Sequence, residues 1–577
     1  MQLLRHVFAP VASVVALASG ARAATPVTTG VESVTRLTAA PALYERVDFV
    51  VTLTGEWQDP YRSADVRLDL ELTAPSGRTL VVPAFFERGP SGATSVWLTR
   101  FAPRETGAYR GRYVLTNRGA RRESAPLDFT VAPSAAKGFL HLASPWTFRF
   151  DNGAPFRGLG ENLCWESRSF DDSHHFKSLH ENQRYNYEYL VGTLAASGGN
   201  FFRTWMCQWN LPLEWKQVTD TVRYTDDPGH FNASAMRRLD QLVELAAATD
   251  TYFMLALDPH GSLLGDGWAA NPYNQKNGGP AATAAEFFSQ PAARAQYQDR
   301  LRYLVARWGY SPHLAIWEFF NEMDNAMYGQ KPARIPDEVV TAWHTEMSAY
   351  LKALDPYDRT ITTSISHRDV AGLTAIPTID FHQRHIYKDT DAIPATIRRN
   401  VRETGKPYVI GEFGYEWDWT KNFNDFAGLM DRDFKDGLWL GLFSPTPILP
   451  MSWWWEFFDS RKITPYFARV HAMHEQMVAA GRGEYTEVEA AWSGTLLRHV
   501  LAVRCGSTTF VLLANREAAT AAGRLTLPAA ARAQSVRAYD PETNQTRPLP
   551  EMPAGATGLD ALSVPAHGNT ILVITEA

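Results

Sequence analysis

Two short stretches of this 577-residue chain end in carboxylates placed to work together: Trp317-Glu318-Phe319-Phe320-Asn321-Glu322 and Val409-Ile410-Gly411-Glu412-Phe413-Gly414. Each apolar run reads as a buried parallel strand with a glutamate just past it, and in a (β/α)8 barrel such strand ends converge on one pocket. One carboxylate that attacks an anomeric carbon and one carboxylic acid that protonates the leaving oxygen cut a glycosidic bond with retention when they stand about 5–5.5 Å apart. The nucleophile must stay ionised, which a neighbouring cation favours; the acid needs a raised pKa, which burial and nearby negative charge supply. Glu412 fits the first role and Glu322 the second. Glu318, four residues earlier and deeper, reads as a buried partner for Arg203 or a histidine.

Positioning them requires an α/β fold, a (β/α)8 TIM barrel over residues 138–482. Strands are expected at 156–162, 200–205, 252–258, 314–319, 359–364, 379–385, 407–412 and 449–454, with amphipathic helices between them, including 235–248, 293–308, 339–353, 423–437 and 463–480. The fifth unit is short of residues for a helix. Before the barrel, residues 25–135 alternate in short strands as an immunoglobulin-like β-sandwich, and Phe101 to Tyr109 has the form of a tyrosine corner. After it, residues 483–577 form a small β-domain. Residues 1–23 carry Arg5, an apolar run from Val7 to Ala18 and Ala21-Arg22-Ala23, the pattern of an export signal, which places the mature protein outside the cytoplasm, secreted or periplasmic.

The assembled pattern resembles glycoside hydrolase clan A, most closely family five, over residues 138–480. The resemblance makes Glu322 the acid/base and Glu412 the nucleophile. It also implies that Asn321 binds a 2-hydroxyl, that Arg203 supports the nucleophile, that His385 and Tyr387 line the site, and that Trp453-Trp454-Trp455 carry the aromatic platform. The front β-domain is similar to the module preceding such barrels in bacterial hydrolases. Physical chemistry supports the same residues: Arg203 offers a fixed fork of donors, and the Tyr387 hydroxyl donates without adding charge. In a strand Trp453 and Trp455 share one face, on which a sugar can stack, and Trp454 points away. His260, after the third strand, is a further pocket residue.

Fifteen of the 18 tryptophans lie between Trp146 and Trp455, with Trp165, Trp209, Trp417 and Trp419 just past strand ends, which favours a glycan cleft. Glu161, Asp258, Glu416 and Glu456 read as sugar-hydroxyl ligands or solvated loop groups. His174, His175 and His180 lack metal-ligand spacing and read as loop surface; no metal and no cofactor is expected. Cys164 and Cys207 follow consecutive strands and could be bridged. A net charge of −6 offers no basic face for nucleic acid, and no stretch approaches the length of a membrane span. The expected partner is a β-linked glycan of β-mannan or β-glucan type; the alternative is a non-catalytic glycan-binding protein. The oligomeric state is left open.

Overall fold

The computed structural model describes residues 29–331, 333–529 and 531–576; the 1–23 export signal lies outside them. Alternation builds the first unit. Val47–Thr54 buries Val47, Phe49, Val51 and Leu53, and Val66–Thr73 buries Leu68, Leu70 and Leu72. They sit in two antiparallel sheets whose inner faces meet, with Phe49 against Tyr113 and Phe129 at ring-centroid distances of 6.4 and 5.6 Å. The Tyr109 hydroxyl accepts the Glu105 N–H at 3.0 Å, tying the strand start to the preceding turn. The unit docks on the next: Ala102 N–H donates to the Tyr357 hydroxyl at 3.0 Å, and Asp59 meets His230 Nδ1 at 2.8 Å.

The central unit is of TIM-barrel type. A five-stranded parallel sheet runs Gly160–Asn162, Phe201–Trp205, Tyr252–Pro259, Leu314–Asn321 and Thr360–Thr362, and a three-stranded one runs Ser364–Ile365, His382–Tyr387 and Tyr408–Gly414. The break between them falls at Thr363. Phe201–Trp205, Tyr252–Pro259, Leu314–Asn321 and Tyr408–Gly414 are buried at every position, the signature of strands covered on both faces. Helices Tyr187–Ala196, Ala233–Ala248, Pro291–Trp308, Asp337–Leu354, Ile393–Thr404, Ala427–Leu442 and Phe467–Gly481 alternate with them. After the fifth strand the chain makes only the single turn Leu373–Ala375 before the sixth. A hairpin bearing Phe148 and Phe150, with Phe156, packs under Phe201, Tyr252 and Ile448, so the strands' N-terminal end is plugged. Function is left to the opposite end.

The expected strand at 449–454 is a correction. Ile448 bridges Gly158, and Ser452 bridges both Glu161 and Phe413, but the segment forms no continuous strand. Pro450 removes one ladder donor, and Trp454, at φ 69°, turns the chain into the helix Trp455–Ser460. Beyond Gly481, a six-stranded and a three-stranded antiparallel sheet pack around Val511, Leu513, Leu525 and Ile574. Arg516 joins this unit to the central one through Asp391 and Asp436, both at 3.2 Å. Cys164, Cys207 and Cys505 are buried free thiols, so the 164–207 bridge is not formed. Among the described residues no helix is long and apolar enough to cross a membrane.

Candidate active site

Arg203 is the hub. It lies mid-strand between Asn162 and Met254 in register, with no exposed surface. Nε and Nη2 donate to the two oxygens of Glu318 at 2.6 and 2.9 Å, and Nη1 donates to Glu412 Oε1 at 2.9 Å and Asn162 Oδ1 at 3.1 Å. Nη2 also reaches Asn321 Oδ1 at 2.7 Å. The guanidinium fork is therefore fully used, and one cation fixes two buried carboxylates and two amides. Glu318 takes the structural place that its depth implies. Burial opposes the charge on Arg203, but Glu318 and Glu412 outweigh it and hold the group protonated.

Glu412 lies near the C-terminal end of the strand Tyr408–Gly414. Its second oxygen accepts the Tyr387 hydroxyl at 2.7 Å and lies 3.3 Å from His385 Nδ1. Gly411 before it is required: a Cβ there would stand 2.4 Å from Gln383 and 3.1 Å from His385 Nε2. Glu322 leaves its strand in the left-handed region, φ 54° and ψ 56°, a conformation a non-glycine residue holds at a cost of roughly 1–2 kcal/mol. That turn aims its carboxylate into the cleft, and the Ser364 hydroxyl accepts its N–H at 3.0 Å. One oxygen takes a hydrogen bond from His385 Nδ1 at 2.9 Å; the other takes one from Asn325 at 2.8 Å and lies 3.3 Å from His260 Nδ1. Asn321 holds His260 in turn, at 3.2 Å.

One oxygen each of Glu322 and Glu412 and a ring nitrogen of His385 all lie within 4.8 Å of one another. A metal site has similar spacing. Here Arg203 adds a cation to the group, and the Tyr387 hydroxyl and the His385 N–H already satisfy the oxygens a cation would take, so the arrangement is one of hydrogen-bonded acids. The protonation pattern differs from the sequence expectation. Burial pushes Glu412 up, with His385 and Arg203 opposing it. Burial would raise Glu322 too, but the His385 hydrogen bond and the charges of His385 and His260 hold it at about 2. Burial likewise opposes a charge on His385, yet Glu412 and Glu322 carry it above its ordinary value. Glu322, His385 and Glu412 therefore titrate as a coupled trio, and the proton that His385 and Glu322 share belongs to the group rather than to one residue.

The cleft around this trio has a volume of about 840 Å³ and is lined by Trp205, His260, Asn321, Trp453, Trp417 and Trp419 among others. Trp453 therefore sits where the sequence places it. Trp455 does not: it begins a helix rather than sharing a strand face, is 2% exposed, and packs behind Trp165 and Trp453 at 5.1 and 5.3 Å. Trp454 faces the seventh-strand loop, its indole N–H donating to the Glu416 carbonyl at 2.7 Å. Glu161, Asp258, Glu416 and Glu456 are buried away from the cleft, Asp258 against Arg300 at 3.1 Å and Glu416 against Lys388 at 2.9 Å. His180 is buried 3.6 Å from Glu456, not on a loop surface. Sequence reasoning missed Asn162, Ser364, Asn325 and Trp205 as site residues; Asn162 ends the first strand and Trp205 the second, positions that could have flagged them.

Residues 166–425 match the family described as Cellulase (glycosyl hydrolase family 5). This region is a glycosyl hydrolase family 5 domain. Residues 41–115 match a domain of unknown function (DUF5060). The family 5 domain is similar to the mannan endo-1,4-beta-mannosidase F of Aspergillus fumigatus, 22% identical over 298 residues, which cover 45% of this chain and 64% of that protein. It is also similar to the mannan endo-1,4-beta-mannosidase A of Podospora anserina, 24% identical over 32% of this chain and 52% of that protein. The chain spans about half the length of the curated relatives it matches. A crystal structure of a putative glycoside hydrolase from Bacteroides vulgatus, at 14% identity, shares the fold over 94% of this chain and all of that one with a TM-score of 0.62.

Proposed function

We propose that the chain is a retaining β-glycoside hydrolase acting by double displacement. Glu412 attacks the anomeric carbon as the glycosidic C–O bond breaks, and Glu322, receiving the proton shared with His385, gives it to the departing oxygen. In the second half Glu322 takes a proton from water, the water oxygen bonds to the anomeric carbon, and Glu412 leaves as the carboxylate. The observation that carries this reading is the approach of the two carboxylates within 4.8 Å, short of the about 6.5–9.5 Å that an inverting enzyme needs to seat a water between them. The family 5 domain supports retention, and the mannosidase relatives favour a β-mannan over a β-glucan.

The rest of the organisation belongs to the same proposal. We read the Ser452 bridges to Glu161 and Phe413 as closing a (β/α)8-type barrel whose eighth position is held by isolated bridges, the 25–135 unit as immunoglobulin-like, residues 138–482 as the catalytic unit and 483–577 as a β-sandwich. The 1–23 segment supports export. The test is hydrolysis of a mannan and glucan panel, with the product anomer read by proton NMR before mutarotation: β-product supports the proposal, and α-product or binding without cleavage contradicts it.

A further inference from the structure

We propose that the cleft admits one sugar ring on the glycone side of the bond it cuts, so that terminal residues are removed singly from the non-reducing end. The inference rests on the glycosidase reading above and adds where along a chain the cut falls.

The chemistry orients the substrate. The anomeric carbon must lie against Glu412 and the leaving oxygen against Glu322, with the ring between them over Trp453. The ring's far edge, which bears the hydroxyl that a preceding sugar would occupy, then points from Glu322 toward the ends of the eighth, first and second strands. That side is walled. Trp205 and Trp453 bound the cleft there with ring centroids 5.4 Å apart, and Trp165 wedges edge-on behind both, at 5.2 and 5.5 Å. Trp209 backs Trp165 at 5.7 Å, and Arg168 covers that pair.

The wall is anchored rather than loose. Glu166, next to Trp165 and buried, accepts the Tyr187 N–H at 3.0 Å and Arg238 Nε at 2.9 Å and lies 3.1 Å from Arg223, joining the loops after the first and second strands to two helices. The opposite half is open. Its rim, on the loops after the fifth and sixth strands, carries His367 and Asp389, both exposed. A leaving group of any length can emerge past this rim, whereas a second glycone ring meets tryptophan.

The test uses the full chain on ladders of β-1,4-linked manno- and gluco-oligosaccharides whose reducing ends are tagged by borodeuteride reduction. The expected first products are one untagged monosaccharide and a tagged chain shorter by one ring, at every length, with polymer viscosity falling no faster than mass is lost. Untagged disaccharides or longer fragments as first products would overturn this inference and leave the glycosidase reading standing. Failure to cleave either ladder or any aryl glycoside would remove both. Trp165→Ala, or Trp209→Ala should the first variant not fold, is expected to make an untagged disaccharide appear; an unchanged single-ring profile in a folded Trp165→Ala protein would contradict the wall.

Discussion

Replacing Arg203 by methionine separates what holds the barrel together from what makes it react. Arg203 donates five hydrogen bonds, two to Glu318 and one each to Glu412, Asn162 and Asn321. Methionine fills the volume but leaves Glu318, itself without exposed surface, as an uncompensated buried charge. Breaking a buried pair in that way costs about 3–5 kcal/mol, which lowers the barrel's unfolding temperature by roughly 6–20 °C. Glu412 loses one charge-assisted bond, worth about 1.5–3 kcal/mol, so kcat/KM falls by roughly 10- to 150-fold beyond any loss of folded protein. Adding Glu318→Leu removes the orphaned charge. Thermal unfolding of the double variant then returns most of the way to the parent, because an apolar replacement of a buried pair is close to neutral, while turnover of an aryl glycoside stays low. A single variant as stable as the parent, or a double variant with restored activity, would refute the two-carboxylate account of this residue.

Three further outcomes follow from the same geometry. Glu322→Ala should lower kcat/KM for alkyl glycosides by about 10²–10⁴-fold and for activated aryl glycosides far less, since kcat/KM reports the glycosylation step and only the former need the proton there; equal losses of kcat/KM would argue for another role. In the pH profile of kcat/KM, the basic limb should report loss of the proton shared by His385 and Glu322, and so lie above the ordinary imidazole value. His385→Gln leaves that proton on Glu322 alone, a carboxyl, and the limb should move toward acid; an unmoved limb excludes the shared proton. Tyr387→Phe removes one hydrogen bond to the Glu412 carboxylate, worth about 1.5–3 kcal/mol, and should lower kcat/KM by roughly 10- to 150-fold while leaving the unfolding temperature close to the parent's, unlike Arg203→Met.

The strand ends were legible because a strand buried on both faces is an unbroken apolar run, and the polar residue that ends it has to face the pocket. Asn321, Glu322, Tyr387 and Glu412 arise this way, at or near the ends of their strands, and Arg203 and His385 reach the same place from within theirs. The eighth strand misled for a local reason. Trp453-Trp454-Trp455 has strand propensity, but Pro450 and the left-handed Trp454 convert it into a turn and a helix, so period-two reasoning set Trp455 on a face it does not have. The carboxylates Glu161, Asp258, Glu416 and Glu456 share the strand-end address without the inward direction, which only three-dimensional register supplies. Nor could spacing reveal that His385 bonds Glu322 more closely than Glu412, a contact that couples the titration of all three groups.

The central claim is that Glu412 becomes covalently glycosylated during turnover. Incubation with activated 2-deoxy-2-fluoro-mannosides and -glucosides, which slow breakdown of such an intermediate more than its formation, should raise the protein's intact mass by one fluoroglycosyl group, and peptide mapping should place that group on Glu412. A label on Glu322, or steady turnover of the same reagents with α-product and no adduct, would contradict it.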